Sequence, residues 1–561
     1  MPILTLSKKG LLAAAGRQLG DDDLQERLSM LGTGFEGMTG DEVSVEIFPN
    51  RPDLLSRQGF ERAFAAFLGT KPGLRRYDVR RSGEKVIIDK SVERCRPYTS
   101  CAIVKNLKID EEKLKEIIQI QEKLHITFCR NRKRAAIGVY PVEHISFPIH
   151  FKGLKPGEIR FRPLESEREM TAKEVLEQHP KGREYAHLLK GLDRYACFLD
   201  AKNNVMSLTP LINSHLTGKI TEKTTNLFVE CSGFDQRILD ECLAMIVTAF
   251  AEMGGELYSL ELEYPDRSIT TPDLAPKKMK VDRNYINRLL GLSLKEPELK
   301  KLLEKMGYGY EEGHALVPTY RTDILHQADF AEDVAIAYGY EKIPEVIPNV
   351  ATVGAESGFE QLCTKVRQLL VGHGLLEAKN YGLVNREAQT RRMRWDSEVV
   401  TLRSAVSSEY DSLRAWVLPS LMETLQRNRR HEYPQLLFEI GRVFAKEKVA
   451  EQWKGREEEE RTGVREKVRL AAVLCGEEAD YTRIRQLLDD LLAKLGVEAK
   501  YRETEHPSFI QGRVARVSAG EEGIAYIGEL HPQVLESFGL TMPVAAFELD
   551  LSAVFEKLRG K

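Results

Sequence analysis

The stretch Tyr320-Arg321-Thr322-Asp323-Ile324-Leu325-His326-Gln327-Ala328-Asp329-Phe330-Ala331-Glu332-Asp333 decides how the middle of this 561-residue chain is read. From Ile324 onward the apolar spacing predicts a helix through Tyr338. On that helix Asp329, Glu332 and Asp333 stand at i, i+3 and i+4 and share one face, with Asp323 at its N-terminal end. Like charges so placed repel. Either solvent and nearby cations screen them, or a hard divalent cation with oxygen ligands neutralises them, Mg2+ being the usual intracellular choice. An acidic solvated face and a metal site both remain open on this evidence.

Working outward, two short amphipathic helices, Val281–Leu290 and Glu296–Met306, and a strand, Ala315–Val317, precede the quoted stretch. Helix, helix, strand, helix resembles a winged-helix module. The proline-rich run Pro344-Glu345-Val346-Ile347-Pro348 ends it and reads as a boundary linker. Upstream, residues 81–268 are strand-rich: Lys85–Ile88, Thr99–Val104, Ala135–Tyr140, Ile159–Arg162 and Val205–Leu208 alternate with helices such as Glu111–Lys123 and Gln236–Glu252. Residues 1–80 read as a small α/β unit with helices Asp22–Leu31 and Leu54–Leu68 around a strand Val43–Phe48. The turn Asn50-Arg51-Pro52-Asp53 lets Asp53 cap the second helix. Downstream, residues 355–561 read as an antiparallel sheet with flanking helices, Gly358–Gly372 and Trp416–Asn428 among them. Strand-like segments there are Lys379–Leu383, Glu398–Leu402 and Gln435–Ile440, and Lys446–Lys467 is a highly charged exposed connection. The fold class expected is α+β and multidomain, as the length also requires.

Composition narrows the function. With 82 Lys and Arg against 85 Asp and Glu, the net charge of -3 excludes a generally basic coat for nucleic acid, so any such contact is local. The cations of Arg130-Asn131-Arg132-Lys133-Arg134 are either a solvated approach to a strand or a phosphate contact. No apolar run is long enough to cross a membrane and the first twenty residues lack the order of a signal peptide, so a soluble, cytoplasmic protein is expected. Eight scattered cysteines form no C-x-x-C pair. The G-x-G-x-x-G at Gly32–Gly37 follows a helix and precedes a strand, the reverse of the dinucleotide-binding order, and reads as a flexible loop. No Ser-His-Asp spacing points to a nucleophilic triad, and His125, His144, His150, His179 and His187 read as surface or core imidazoles.

A second group of polar residues surrounds Ser207 and Asn213, between a strand and a proline turn, and continues at Leu227-Phe228-Val229-Glu230-Cys231-Ser232. If Leu227–Cys231 is a strand, Phe228, Glu230 and Ser232 share one face and line a wall able to recognise a hydroxylated ring. The alternative is that both serines satisfy turns and Glu230 reaches solvent.

Asn50–Ser56, Ile212–Ser214, the Tyr320–Asp333 carboxylates, Leu437-Phe438-Glu439-Ile440-Gly441-Arg442-Val443-Phe444, Ile527–Gln533 and Ala546–Asp550 together, and in order, resemble the phenylalanyl-tRNA synthetase β subunit of archaeal and eukaryotic type. The resemblance implies an α2β2 heterotetramer in which α subunits, binding ATP and phenylalanine, charge tRNA(Phe), while this chain scaffolds the assembly. It also implies a tRNA-editing domain over 81–268 that hydrolyses mischarged Tyr-tRNA(Phe), with Ser207, Asn213, Glu230 and Ser232 as editing residues. It further implies a Mg2+ site, its ligands shared with the α subunit, at Asp323, Asp329, Glu332 and Asp333 in the winged-helix-like module, 269–345. The module 355–561 resembles a class II synthetase fold without activity, and no residue of this chain is expected to catalyse aminoacylation. A non-enzymatic RNA-binding scaffold and a free-standing aminoacyl-tRNA deacylase are the rival readings.

Overall fold

A computed structural model describes residues 2–350, 353–446 and 463–559. The chain divides into two compact units, Met1–Ile347 and Pro348–Lys561. Most of the charged connection expected over Lys446–Lys467 lies outside the described residues.

In the first unit, Ile3–Ser7, Glu42–Glu46 and Gly34–Thr39 form a three-stranded antiparallel sheet with Glu42–Glu46 in the middle. The glycine-rich segment expected to be a loop is therefore mostly an edge strand. Gly32, at φ 91°, supplies the left-handed turn that lets the chain leave the helix Asp21–Met30 and enter it. The expected cap also moves. Ser56, not Asp53, accepts from the Gly59 amide at 3.0 Å and starts the helix Arg57–Phe67. Asp53 is instead taken by Arg51 in a buried bidentate pair, at 2.8 and 2.9 Å.

The largest sheet has ten strands. Nine of them run from Ile212–Asn213 through Val205–Leu208, Tyr195–Leu199, Ile149–Leu154, Val79–Ile88, Glu256–Glu263, Tyr98–Lys105 and Leu227–Gly233 to Ala135–Pro141, and the tenth, Ser268–Thr271, pairs with Glu256–Glu263 off this path. The helices Glu111–Ile126 and Gln236–Glu252 pack on one face, where Leu227, Val229 and Cys231 join their core. Nearly every residue from Ile238 to Phe250 is buried, and each large aliphatic side chain so covered contributes about 1.5–3 kcal/mol. The sheet curls until its two ends meet: Asn213 Nδ2 of the first strand donates to Val139 O of the last at 3.4 Å. The short pair Arg160–Phe161 and Met170–Thr171 stands apart from it.

Lys277–Lys280, His314–Val317 and Gly309–Glu311 form a three-stranded antiparallel sheet with the helices Arg283–Leu290, Glu296–Lys305 and Gln327–Tyr338. The last helix begins three residues later than Ile324. His326 is its cap, accepting from Ala328 N at 3.2 Å, and Asp329 accepts from the amides of Leu325 and His326 at 2.7 Å each. One continuous hydrophobic core runs from Leu4 through Phe250 to Ala337, shared by the N-terminal sheet, the helices of the large sheet and this module.

The second unit is built on a seven-stranded sheet, antiparallel except for Leu376–Glu377 beside Gln435–Lys446. The helices Gly358–Gly372, Tyr481–Lys494 and Leu551–Arg559 cover one face, while Leu418–Asn428 and Pro532–Ser537 cover part of the other. Of the strand expected over Lys379–Leu383 only Leu383–Val384 forms, in a small separate sheet with Ser412–Leu413 and Val400–Thr401. No helix among the described residues is long and apolar enough to cross a membrane.

Candidate functional site

Where the curled sheet closes on itself it leaves a cavity of about 610 Å3, lined among others by Ser207, Asn213, Glu230, Arg132, His125 and Ile118. Three of the four residues expected to edit thus reach one cavity. Ser232 does not line it. It follows Glu230 by two on the buried strand Leu227–Gly233, where its hydroxyl accepts from Arg96 Nε at 3.2 Å and its carbonyl from Arg96 Nη2 at 2.5 Å.

Glu230 is 2% exposed. Tyr140 donates to its Oε1 at 3.2 Å and also lies 3.3 Å from Asn213 Oδ1, while Glu230 Oε2 is buried without a partner. Glu230 therefore does not reach solvent, the alternative left open by the sequence. Burial pushes its carboxyl up to about 7, against the pull of the Arg96 cation and of the Tyr140 and Ser232 hydroxyls. Gly138 faces Glu230 across the strand pair, and a Cβ there would come within 2.4 Å of both Glu230 Oε1 and Tyr140 Oη. Glycine is what leaves room for this pair.

Of the four cations of Arg130–Arg134, Arg130 and Lys133 are exposed, but Arg132 is turned inward. It is buried, donates to Leu211 O at 2.7 Å and Pro210 O at 3.2 Å, pairs with Glu122 at 2.9 Å and lies 4.5 Å over the Tyr185 ring. Three consecutive residues, Arg130 to Arg132, hold left-handed backbone to turn it inward. It fixes the turn between Ser207 and Asn213. His125 Nε2 accepts from Ile137 N at 2.8 Å, and burial lowers its pKa to about 4, so it is a neutral part of the cavity's frame.

The four carboxylates of the quoted stretch do not converge. Arg321, 6% exposed, forks onto Asp323 at 2.9 and 2.8 Å and reaches Asp333 at 2.7 Å, and Asp333 also takes the Tyr308 hydroxyl. Asp329 caps its helix, and Glu332 is turned outward to Tyr340 Oη at 2.9 Å. Burial pushes Asp323 up, but Arg321 and Arg51 outweigh it and hold its carboxyl below the usual range. Among the described residues no three His, Cys, Asp or Glu are grouped to hold a metal ion. In this chain by itself Arg321 is the counter-ion of Asp323 and Asp333, and a Mg2+ ion held there together with a partner subunit would have to displace it. Although Asp329, Glu332 and Asp333 stand at i, i+3 and i+4, Asp333 faces the core while Glu332 faces solvent. Chelation with EDTA is accordingly expected to leave the thermal midpoint of the full chain unchanged. A drop that added Mg2+ reverses would restore the metal.

Two family models match the chain: "tRNA synthetase B5 domain" over residues 279–340 and "Phenylalanyl tRNA synthetase beta chain CLM domain" over residues 343–551. Both descriptions are of aminoacyl-tRNA synthetases, which sets the class. The phenylalanine–tRNA ligase β subunit of Pyrococcus abyssi is 41% identical over 512 residues, 90% of each chain, and that of Archaeoglobus fulgidus is 37% identical over 564 residues, 99% of each. The crystal structure of an N-terminal fragment of the phenylalanyl-tRNA synthetase β subunit from Pyrococcus horikoshii is similar at a TM-score of 0.58 and 38% identity, covering 60% of this chain and all of that one. The chain belongs to the phenylalanine–tRNA ligase β subunit family.

Proposed function

We propose that this chain scaffolds an α2β2 phenylalanine–tRNA ligase in the cytoplasm and that its cavity hydrolyses tyrosine wrongly attached to tRNA(Phe). The unpartnered, buried Oε2 of Glu230 carries the editing reading. A pocket for phenylalanine cannot strongly reject an isostere that only adds a hydroxyl, whereas a second site that hydrogen-bonds the hydroxyl can select it. A tyrosine hydroxyl would donate to Glu230 Oε2; a phenylalanyl ring offers nothing there and leaves the acceptor orphaned. Asn213 and Ser207 stand on the opposing wall, and Ser232 supports the same strand through Arg96.

Charging of tRNA is assigned to the α subunits, with ATP and phenylalanine bound mainly there. In the second unit Arg414 pairs with buried Glu439 at 2.7 Å and packs against Gly441, while Arg442 is turned out to Glu466. These cations are occupied by carboxylates rather than set for a triphosphate. The exposed apolar side chains Tyr381, Leu383, Leu402, Val406 and Tyr410 around the small sheet of that unit suit a partner subunit.

Tyrosyl- and phenylalanyl-tRNA(Phe) presented to the αβ complex distinguish the readings. Selective loss of tyrosine is expected, and equal stability of both would leave the chain a scaffold. In the same assay Gly138→Ala, which pushes Glu230 and Tyr140 from their places, is expected to slow tyrosine release at least tenfold while charging continues. Undiminished release would remove the Glu230–Tyr140 pair from the reaction.

A further inference from the structure

The seven-stranded sheet has a polar corner that neither charging nor editing uses. A cavity of about 280 Å3 opens there, with Trp395, Trp416, His506, Phe509 and Tyr526 as its aromatic walls. His506 stacks on Trp395 with centroids 4.4 Å apart and meets Tyr526 edge-on at 4.9 Å. Its floor is charged. Glu548 accepts from Arg469 at 3.1 Å and from the amides of Val417 and Leu418 at 3.0 and 2.9 Å, and Asp550 is taken by Lys467 at 2.7 Å and by Ala553 N at 3.0 Å. Both carboxylates are thus matched, and one cation is left over.

That cation is Arg516. Its guanidinium lies 4.2 Å over the Tyr526 ring, donates to Gly523 O at 2.7 Å and has no carboxylate partner among the described residues. Gly523 makes its place: a Cβ there would come within 2.6 Å of two guanidinium nitrogens. Arg469, which also lines the cavity, has its Nε buried with no acceptor. A desolvated donor without an acceptor and an unmatched guanidinium, set among flat rings, are complementary to one kind of molecule. We infer that this cavity binds a small planar aromatic anion, its ring against the aromatic walls and its charged oxygen on Arg516. The volume lies at the lower end of small-molecule sites, which favours a single ring with a carboxylate; a nucleotide, with a flat base and a phosphate, offers the same chemistry in a larger body.

The chain has three tryptophans, two of them in this cavity, so a Trp453→Phe full-length chain carries reporters only at the site. Its fluorescence is titrated with benzoate and with AMP, and with benzyl alcohol and acetate as the ring and the charge alone. Saturable quenching by benzoate or by AMP is expected, at least tenfold weaker with benzyl alcohol and absent with acetate. Benzoate alone identifies an aromatic carboxylate, and AMP a nucleotide. Gly523→Ala is expected to weaken the anion at least tenfold, and where circular dichroism shows that it does not fold, Arg516→Gln replaces it. No saturable change with either anion, benzyl alcohol binding as well as benzoate, or an unaffected Arg516→Gln chain would overturn the inference.

Discussion

Glu230→Gln is expected to make the chain more stable above neutral pH while making it a poorer deacylase. Burial raises the carboxyl from its ordinary 4.5 to about 7. The folded state therefore binds this proton more tightly than the unfolded one. The stability it contributes is fully present below about pH 4.5 and is lost as pH rises through 7. Above neutrality the charged group costs roughly 3 kcal/mol, the free-energy equivalent of that difference in pKa. Glutamine removes the titration without changing shape, so denaturant melts should show the variant ahead at pH 8 and level with the parent near pH 4. Tyrosine release should fall about 10- to 100-fold, the worth of a hydrogen bond to a charged acceptor. A variant less stable at pH 8 would mean the charge is fully compensated, and undiminished release would take Glu230 out of tyrosine recognition.

Arg321→Met should be the most damaging single substitution in the first unit. Its guanidinium is all but sealed from solvent and neutralises Asp323 and Asp333, both largely buried. Removing one partner of a buried ion network leaves uncompensated charge and costs about 3–5 kcal/mol. Arg321→Lys keeps the charge but cannot fork, and should fall between. Adding Asp323→Asn and Asp333→Asn to Arg321→Met should recover most of the loss, since no buried charge would then be stranded. Chemical denaturation of the four proteins checks the series. An Arg321→Met chain that melts like the parent, or is rescued by Mg2+, would return the carboxylates to a metal.

The periodic elements were legible because one local rule governed each. Gln236–Glu252, Gly358–Gly372 and Val205–Leu208 form with the bounds their apolar spacing indicates. The face shared by Phe228, Glu230 and Ser232 followed from strand alternation alone. The cavity did not, because it exists only where the ends of a curled sheet meet and joins residues from positions 114 to 230. Tyr140 and Gly138 sat in an apolar strand with nothing to mark them except the register that sets Gly138 opposite Glu230. In the acidic stretch the neutralising cation was in plain view at Arg321, but spacing shows which residues share a helix face and not which neighbouring loop turns a guanidinium inward. Asp53 was misread for the same reason: a nearer cation, Arg51, outbid the helix terminus.

The unbroken apolar interior running from Leu4 to Ala337 also determines how the chain can be cut. Scissors placed at residue 80 or 268, where composition changes, would pass through side chains that are each other's only shelter from water, and the pieces would present raw greasy faces to one another. A cut between Ile347 and Pro348 falls at the boundary of the two compact units. For anyone making crystals, antibodies or swapped chimeras, the portable part of the first unit is the whole of it.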